Sequence, residues 1–363
     1  MTIDASPPVL LEPLEGPPPG SFGATAQAPS IDWSRVSQRL ETVGLQLDLS
    51  FAPRRFAGGL ANINLLIRVN GAWAVLRRPP EGPLPKGAHD MAREHQVLSA
   101  LSGKLDLAPR SLHFCSDESV AGAPFQILEF RAGRVIRGES LDPLPDGAET
   151  AAALSTMMVD VLARIHDVDT SGSGLASLGR PEGFLARNAS GWIARAAAAG
   201  ASDDAACSAV VEWLQAFDVQ EAAWPTLLHN DFKLDNIILD SSAIKAHAVV
   251  DWDMATRGDP LMDLATLLSY WAEPGDPSAM HTLRQMPTAS VGFPAREAIA
   301  RAYAERSGRS VDQLLFPRVL AIFKLGVVFR QLALHRPDDP RVSDVDTAGL
   351  FAFAMDVARE QYF

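Results

Sequence analysis

Cysteine is nearly absent from this chain: its 363 residues include only Cys115 and Cys207. Two thiols so far apart in sequence make no disulfide framework, and their scarcity fits a reducing, cytoplasmic setting. Long apolar runs are missing as well. None approaches the roughly 20 residues needed to cross a bilayer. The start, Met1-Thr2-Ile3-Asp4, lacks the basic region and apolar core of a secretion signal. Positive charge is in deficit, with a formal net charge of -12. Nucleic acids and anionic membranes both need a basic surface, so neither is an expected partner. What is present is ordinary for a soluble globular protein, 47% hydrophobic and 21% charged residues, in a chain long enough for two lobes.

Residues 1–29 are rich in Pro, Gly and Ala, including Gly16-Pro17-Pro18-Pro19-Gly20. Such a segment cannot bury enough apolar surface to offset its ordering entropy, so it reads as a disordered tail. Order is expected from Ile31-Asp32-Trp33, with Asp32 capping a helix that runs through Leu40. Ala61 to Val69 and Trp73 to Arg77 read as strands joined by Asn70-Gly71, a favoured pair for a two-residue hairpin turn. Residues 88–101 show helical spacing and carry Glu94, and Phe125 to Glu129 read as a further strand. This set defines an N-terminal lobe over 30–131. From 132 to 363 the pattern is mainly helical. Apolar stripes run from Leu154 to Ile165 and from Val210 to Phe217, and helices are expected at Leu261–Trp271 and about Leu314–Leu334. Strands first and helices later indicate an α+β protein.

The richest stretch is Leu228-His229-Asn230-Asp231-Phe232-Lys233-Leu234-Asp235-Asn236, followed fifteen residues after Asn236 by Asp251-Trp252-Asp253. An Asp, four residues, an Asn and then a second Asp are what phosphoryl transfer requires. One carboxylate orients the attacking hydroxyl, while an amide and a second carboxylate hold Mg²⁺ on the ATP phosphates. Ile237-Ile238-Leu239 and Ala248-Val249-Val250 read as short strands joined by the polar turn Asp240-Ser241-Ser242. Such a hairpin would bring Asn236 and Asp251 side by side, and paired oxygen ligands suit a hard cation. Asp231 is therefore the expected catalytic residue, with Asn236 and Asp251 the expected metal ligands.

These residues resemble the aminoglycoside phosphotransferase family, part of the wider protein-kinase-like fold. His229-Asn230-Asp231 through Asn236 is similar to the family's His-Gly-Asp-x-x-x-x-Asn pattern, and Asp251 to its metal-binding Asp. One branch is closer still: kinase domains fused to acyl-CoA dehydrogenases, and their free-standing bacterial relatives. Gly58-Gly59 to Asn62, Val75-Leu76-Arg77-Arg78-Pro79-Pro80, Arg93-Glu94-His95 to Leu98, Leu162 to Asp169 and Arg257 to Ala265 carry that likeness. The resemblance implies a two-lobed α+β fold, with an N-terminal antiparallel sheet plus helix and a mainly helical C-terminal lobe. It implies an enzyme that uses ATP and Mg²⁺ to phosphorylate a small-molecule hydroxyl acceptor, a hydroxyacyl-CoA or hydroxy acid. An aminoglycoside or another amino or sugar alcohol is the alternative acceptor. A nucleotide-binding pseudokinase is the alternative of another class. A protein kinase proper is disfavoured, because no Asp-Phe-Gly or Ala-Pro-Glu segment follows.

By the same resemblance Lys233, two residues after Asp231, neutralises charge on the moving phosphoryl group. Gly58 and Gly59 would let the backbone approach the phosphates, followed by Asn62. Arg77 stands where kinases carry a phosphate-binding Lys and is expected to pair with Glu94, although Arg78 could serve instead. Neighbouring strand residues face opposite ways, so only one of the two can do so. Glu129 and Phe130 would lie at the hinge that meets adenine. Arg131, Arg134 and Arg137 are candidates for holding an anionic CoA, and Asp203-Asp204 for holding a cationic acceptor. His229 and His166 read as hydrogen-bonded structural residues, Asp259 as a helix cap and Asp263 as a first-turn acid favoured by the helix dipole. Asp253 could contact metal or substrate, and Trp192 could line a substrate pocket. Apolar late helices leave a homodimer open.

Overall fold

The computed structural model describes residues 31–56, 62–80, 90–172, 174–220 and 224–363. Gly58, Gly59 and the proposed tail over 1–29 lie outside the described residues. The chain divides into two compact units, one ending at Gly133 and the other beginning at Arg134.

The first unit opens with α1 (Trp33–Glu41), which begins because the Asp32 carboxylate accepts from the amides of Ser34 and Arg35. Five strands form one antiparallel sheet: β1 (Arg54–Arg55), β2 (Ile63–Val69), β3 (Ala72–Arg78), β4 (Ser111–Cys115) and β5 (Phe125–Glu129), in the order β1-β2-β3-β5-β4. The β2–β3 hairpin turns at Asn70 and Gly71, with φ of 51° and 78°, as the dipeptide dictates. Leu65, Ile67, Leu76, Phe125 and Ile127 from the sheet close over Val36 and Leu40 from α1 in one core. Each such side chain contributes about 1.5–3 kcal/mol by leaving water. α2 (Met91–Leu101) and the single-turn α3 (Glu118–Ala121) complete the unit, and Asp90 caps α2 through the Arg93 amide.

The second unit holds α4 (Ala148–His166), α5 (Phe184–Ala198), α6 (Ala205–Ala216), α7 (Pro260–Tyr270), α8 (Ser278–Thr282), α9 (Arg296–Ser307), α10 (Leu315–His335), α11 (Pro340–Ser343) and α12 (Thr347–Ala358). Two small antiparallel ladders lie between α6 and α7. β6 (Thr226–Leu228) pairs with β9 (Thr256–Gly258), and β7 (Ile237–Leu239) pairs with β8 (Ala246–Val249). α10 is apolar on most faces because it packs on α12, α7, α5 and α6. Its apolar surface is therefore largely internal. Gly326 is the point of close approach: a Cβ there would stand 2.6 Å from the Phe351 ring on α12. Both cysteines are free and buried. No helix among the described residues is long and apolar enough to cross a membrane.

Candidate active site

In the second unit the β6–β9 ladder delivers the segment that begins at His229, and the β7–β8 hairpin holds its far end. Ile237 pairs with Val249, and the Val250 amide donates to the Asn236 carbonyl at 2.9 Å. This register sets Asn236 and Asp251 beside each other at the open end of the hairpin, as the apolar runs predicted. The connection between the strands spans 240–245, longer than the three-residue turn expected. The Asp240 carboxylate shapes it, accepting from the Ser242 and Ala243 amides.

Asp231 gathers three donors. The Lys233 Nζ reaches its Oδ2 at 2.7 Å, the Asn236 Nδ2 reaches Oδ2 at 3.2 Å, and the Tyr270 hydroxyl reaches Oδ1 at 3.3 Å. The Asn236 Nδ2 also donates to the Asp231 carbonyl at 2.8 Å. Its amide nitrogen is thereby occupied, and Oδ1 is the atom left to serve as a ligand. Asp251 has a left-handed backbone, φ 71°, and begins the turn that seats Trp252, whose indole N–H donates to Val249 O at 2.8 Å. Burial alone would lower the Lys233 ammonium. Asp231, Asp235 and Tyr270 outweigh that effect and hold it well above its ordinary value. Burial raises the Asp235 carboxyl, against the pull of Lys233, which lies 3.8 Å away. Burial raises the Tyr270 phenol too, and Asp231 adds to the rise, so Tyr270 stays a neutral donor.

The loop itself is pinned from below. The Asp263 carboxylate, fully buried, accepts the amides of His229 and Asn230 at 2.6 Å each. The His166 Nε2 lies 3.4 Å from the same carboxylate, and its Nδ1 lies 2.6 Å from the Tyr303 hydroxyl. Asp263 thus orders the loop, where the sequence suggested only a favourable interaction with its helix. His229 is structural, with Nε2 2.9 Å from the Val250 carbonyl and Nδ1 accepting the Asp231 amide at 3.4 Å. Asn230 adopts φ 67°, a conformation that Asn tolerates and that the family's Gly adopts freely. The Asn230 carbonyl accepts from the Lys324 Nζ at 2.7 Å. Asp259 caps α7 through the Leu261 amide.

Sequence reasoning missed Tyr270 and Lys324. Lys324 did leave a signal, since a cation set within the apolar run Val319 to Val328 is a buried charge that needs explaining. Tyr270 left none beyond its place at the end of the apolar α7.

In the first unit Arg77 and Glu94 form a buried ion pair, Nε to Oε2, at 2.7 Å. The Arg77 Nη1 also reaches Asn64 Oδ1 at 3.3 Å, and Gln126 donates to the same Glu94 oxygen. Arg78 points the other way, giving Nη1 to the Ala121 carbonyl at 2.6 Å. Strand alternation has therefore sorted the two arginines, with Arg77 on the side of Glu94. Asn62 is buried just before β2. The Glu129 carboxylate is held by the Arg110 amide and by Arg131, and its own amide donates to the Arg110 carbonyl. Phe130 packs parallel to Phe56 with centroids 6.2 Å apart. Arg134 is engaged with the carbonyls of Asp240 and Ala243, and Asp204 caps α6. Neither is therefore a ready substrate contact.

No cluster of three or more His, Cys, Asp or Glu among the described residues forms a metal site. A magnesium ion bound chiefly by nucleotide phosphates and water needs only one or two protein oxygens. The paired Asn236 and Asp251 fit that requirement.

The chain is similar to several known proteins. Acyl-CoA dehydrogenase family member 10 of Mus musculus is 30% identical over 278 residues, covering 76% of this chain and 26% of that protein. Acyl-CoA dehydrogenase family member 11 of Gallus gallus is 31% identical over 284 residues, covering 76% of this chain and 36% of that protein. The chain therefore spans about a quarter of the first relative and about a third of the second. Among solved structures, a candidate aminoglycoside phosphotransferase from Ralstonia eutropha superposes with a TM-score of 0.72 at 23% identity, covering 91% of this chain and 98% of that one. A macrolide 2'-phosphotransferase from Brachybacterium faecium gives 0.55 at 22% identity, covering 87% and 97%. These two likenesses establish the kinase-like fold. Residues 53–300 match the phosphotransferase enzyme family, whose kinases bind ATP. The chain belongs to the phosphotransferase enzyme family.

Proposed function

We propose that the acceptor is a hydroxyacyl-CoA or the corresponding hydroxy acid, phosphorylated on its hydroxyl with Mg²⁺ as the second cofactor. The observation that carries this reading is the likeness, across 76% of the chain, to acyl-CoA dehydrogenase family members. Asp231 accepts the hydrogen bond of the acceptor hydroxyl and aims its oxygen, in a reaction where positioning matters more than basicity. Lys233, kept charged beside Asp231, offsets negative charge developing on the phosphoryl group. Asn236 and Asp251 would hold Mg²⁺, which when bound neutralises the phosphate charge. Arg77, fixed by Glu94, would hold the α- and β-phosphates with its planar fork. Gly58, Gly59 and Asn62 would cover those phosphates, and the backbone near Glu129 and Phe130 would meet adenine. An aminoglycoside acceptor has less behind it, since Asp204 of the acidic pair is a helix cap. The intact Asp231, Asn236 and Asp251 weigh against a pseudokinase. The small number of cysteines, both buried as thiols, supports a cytoplasmic setting.

The test is transfer of label from γ-labelled ATP with Mg²⁺, offering 4-hydroxyvaleryl-CoA, 4-hydroxyvalerate and kanamycin in parallel. Label should appear on an acyl acceptor and fall at least about 10³-fold in Asp231→Ala, with nucleotide still bound. Label on kanamycin alone would overturn the acyl assignment.

A further inference from the structure

One face of α7 meets the loop twice. Asp263 and Tyr270 stand seven residues apart, about two helical turns, so their side chains leave the same side of the helix. Asp263 accepts the amides of His229 and Asn230, and Tyr270 gives its hydroxyl hydrogen to Asp231 Oδ1 at 3.3 Å. The same face therefore fixes the loop backbone and, one residue further on, meets the carboxylate it carries.

The donors around Asp231 are divided unequally between its two oxygens. A carboxylate oxygen accepts about two hydrogen bonds. Oδ2 receives Lys233 Nζ at 2.7 Å and Asn236 Nδ2 at 3.2 Å, which fills it. Among the described residues, Oδ1 receives only Tyr270 and keeps one acceptor position open. Burial, and then Asp231 itself, raise the Tyr270 phenol, so the hydroxyl stays a donor. The Lys233 ammonium lies 5.2 Å from the centroid of the Tyr270 ring, so Tyr270 touches both members of the Asp231–Lys233 pair.

We infer that Tyr270 is a positioning residue that turns Asp231 so that Oδ1, and not Oδ2, receives the acceptor hydroxyl. This rests on the reading of Asp231 given above, and it applies to any alcohol the site takes. As the acceptor oxygen takes the γ-phosphoryl group from ATP, leaving ADP, the hydroxyl proton passes to Oδ1. Oδ2 stays committed to Lys233 and Asn236 throughout. The hydroxyl is thereby directed to the side of Asp231 that faces the end of α7.

The experiment follows label from γ-labelled ATP with Mg²⁺ in the full chain, offering 4-hydroxyvaleryl-CoA, 4-hydroxyvalerate and kanamycin, with water as the acceptor when none is added. Tyr270→Phe removes the hydroxyl and keeps the ring beside Lys233. It should lower kcat about tenfold and leave the KM for ATP in place. The factor is modest because 3.3 Å is long for an O–H donor. In an Asp231→Ala background the same substitution should have no effect, since Tyr270 acts only through that carboxylate. An unchanged kcat in Tyr270→Phe would overturn the inference, and so would an equal loss with and without Asp231. A loss in Tyr270→Leu that is absent from Tyr270→Phe would assign the effect to the ring, and would overturn it too. Label on kanamycin alone would sink the acyl reading, and the kcat ratio measured on kanamycin then decides for or against Tyr270. If no compound is labelled, release of labelled phosphate to water replaces transfer in the same comparison: a tenfold slowing supports the inference and an unchanged rate overturns it.

Discussion

Lys233 shows how much a single residue's surroundings decide. Buried alone, its ammonium would lose charge; beside Asp231 at 2.7 Å and Asp235 at 3.8 Å it keeps it. The sign of the resulting stability effect is fixed. A lysine whose folded pKa is raised contributes stability that is fully present below its unfolded value of about 10.5 and is lost as pH climbs through the folded one. Thermal melts between pH 7 and 10 should therefore show no loss that Lys233→Met removes, whereas above pH 10.5 the wild type should lose this increment and the variant should not. A wild-type decline beginning near pH 8 and absent from Lys233→Met would disprove this assignment. Asp263 makes a related point about legibility. Its identity was plain in the sequence, but its work, accepting two loop amides, depends on α7 lying under the loop. No spacing rule encodes that contact.

Elements were legible where local chemistry specifies them. The Asn70-Gly71 hairpin, the Asp32 cap and the strand at Phe125–Glu129 follow from turn geometry, capping and apolar pattern. β4 was not legible, because Ser111 to Cys115 is mostly half-buried and its pairing breaks register between Ser111 and His113. β6 and β9, three residues each, are too short for periodicity to speak. Among the helices, α10 carries the clearest mechanical prediction. Gly326 should gain about 1 kcal/mol of helix propensity on becoming Ala. The added Cβ, however, would stand 2.6 Å from the fully buried Phe351 ring, which has little room to move. Overpacking of this kind costs about 1–3 kcal/mol and wins. Gly326→Ala should lower the denaturant midpoint, and a rise would show that α12 can retreat.

At the scale of the whole molecule, two observations were available before any coordinates: strands precede helices, and Asp231, Asn236 and Asp251 are clustered in one stretch. The first is matched by two compact units, and the second puts the proposed catalytic and metal-binding residues in one stretch. The sequence could not show which side chains from distant helices reach the loop, since Tyr270 and Lys324 lie 39 and 94 residues away from their partners. Ligand linkage tests the assembled protein. AMP-PNP with Mg²⁺ should raise Tm by mass action, by an increment that grows with ligand concentration, and EDTA should remove most of it. Asp251→Asn should abolish the EDTA-sensitive part, and an unchanged increment would move the metal elsewhere.

Asn230 has one more consequence. Because its φ is 67°, the position accepts a short alphabet, Gly first and then Asn or Asp. A search pattern that insists on glycine before the aspartate at 231 would discard this chain and any others that solved the same turn with an amide. Written as a requirement on backbone angle, the signature would recover them.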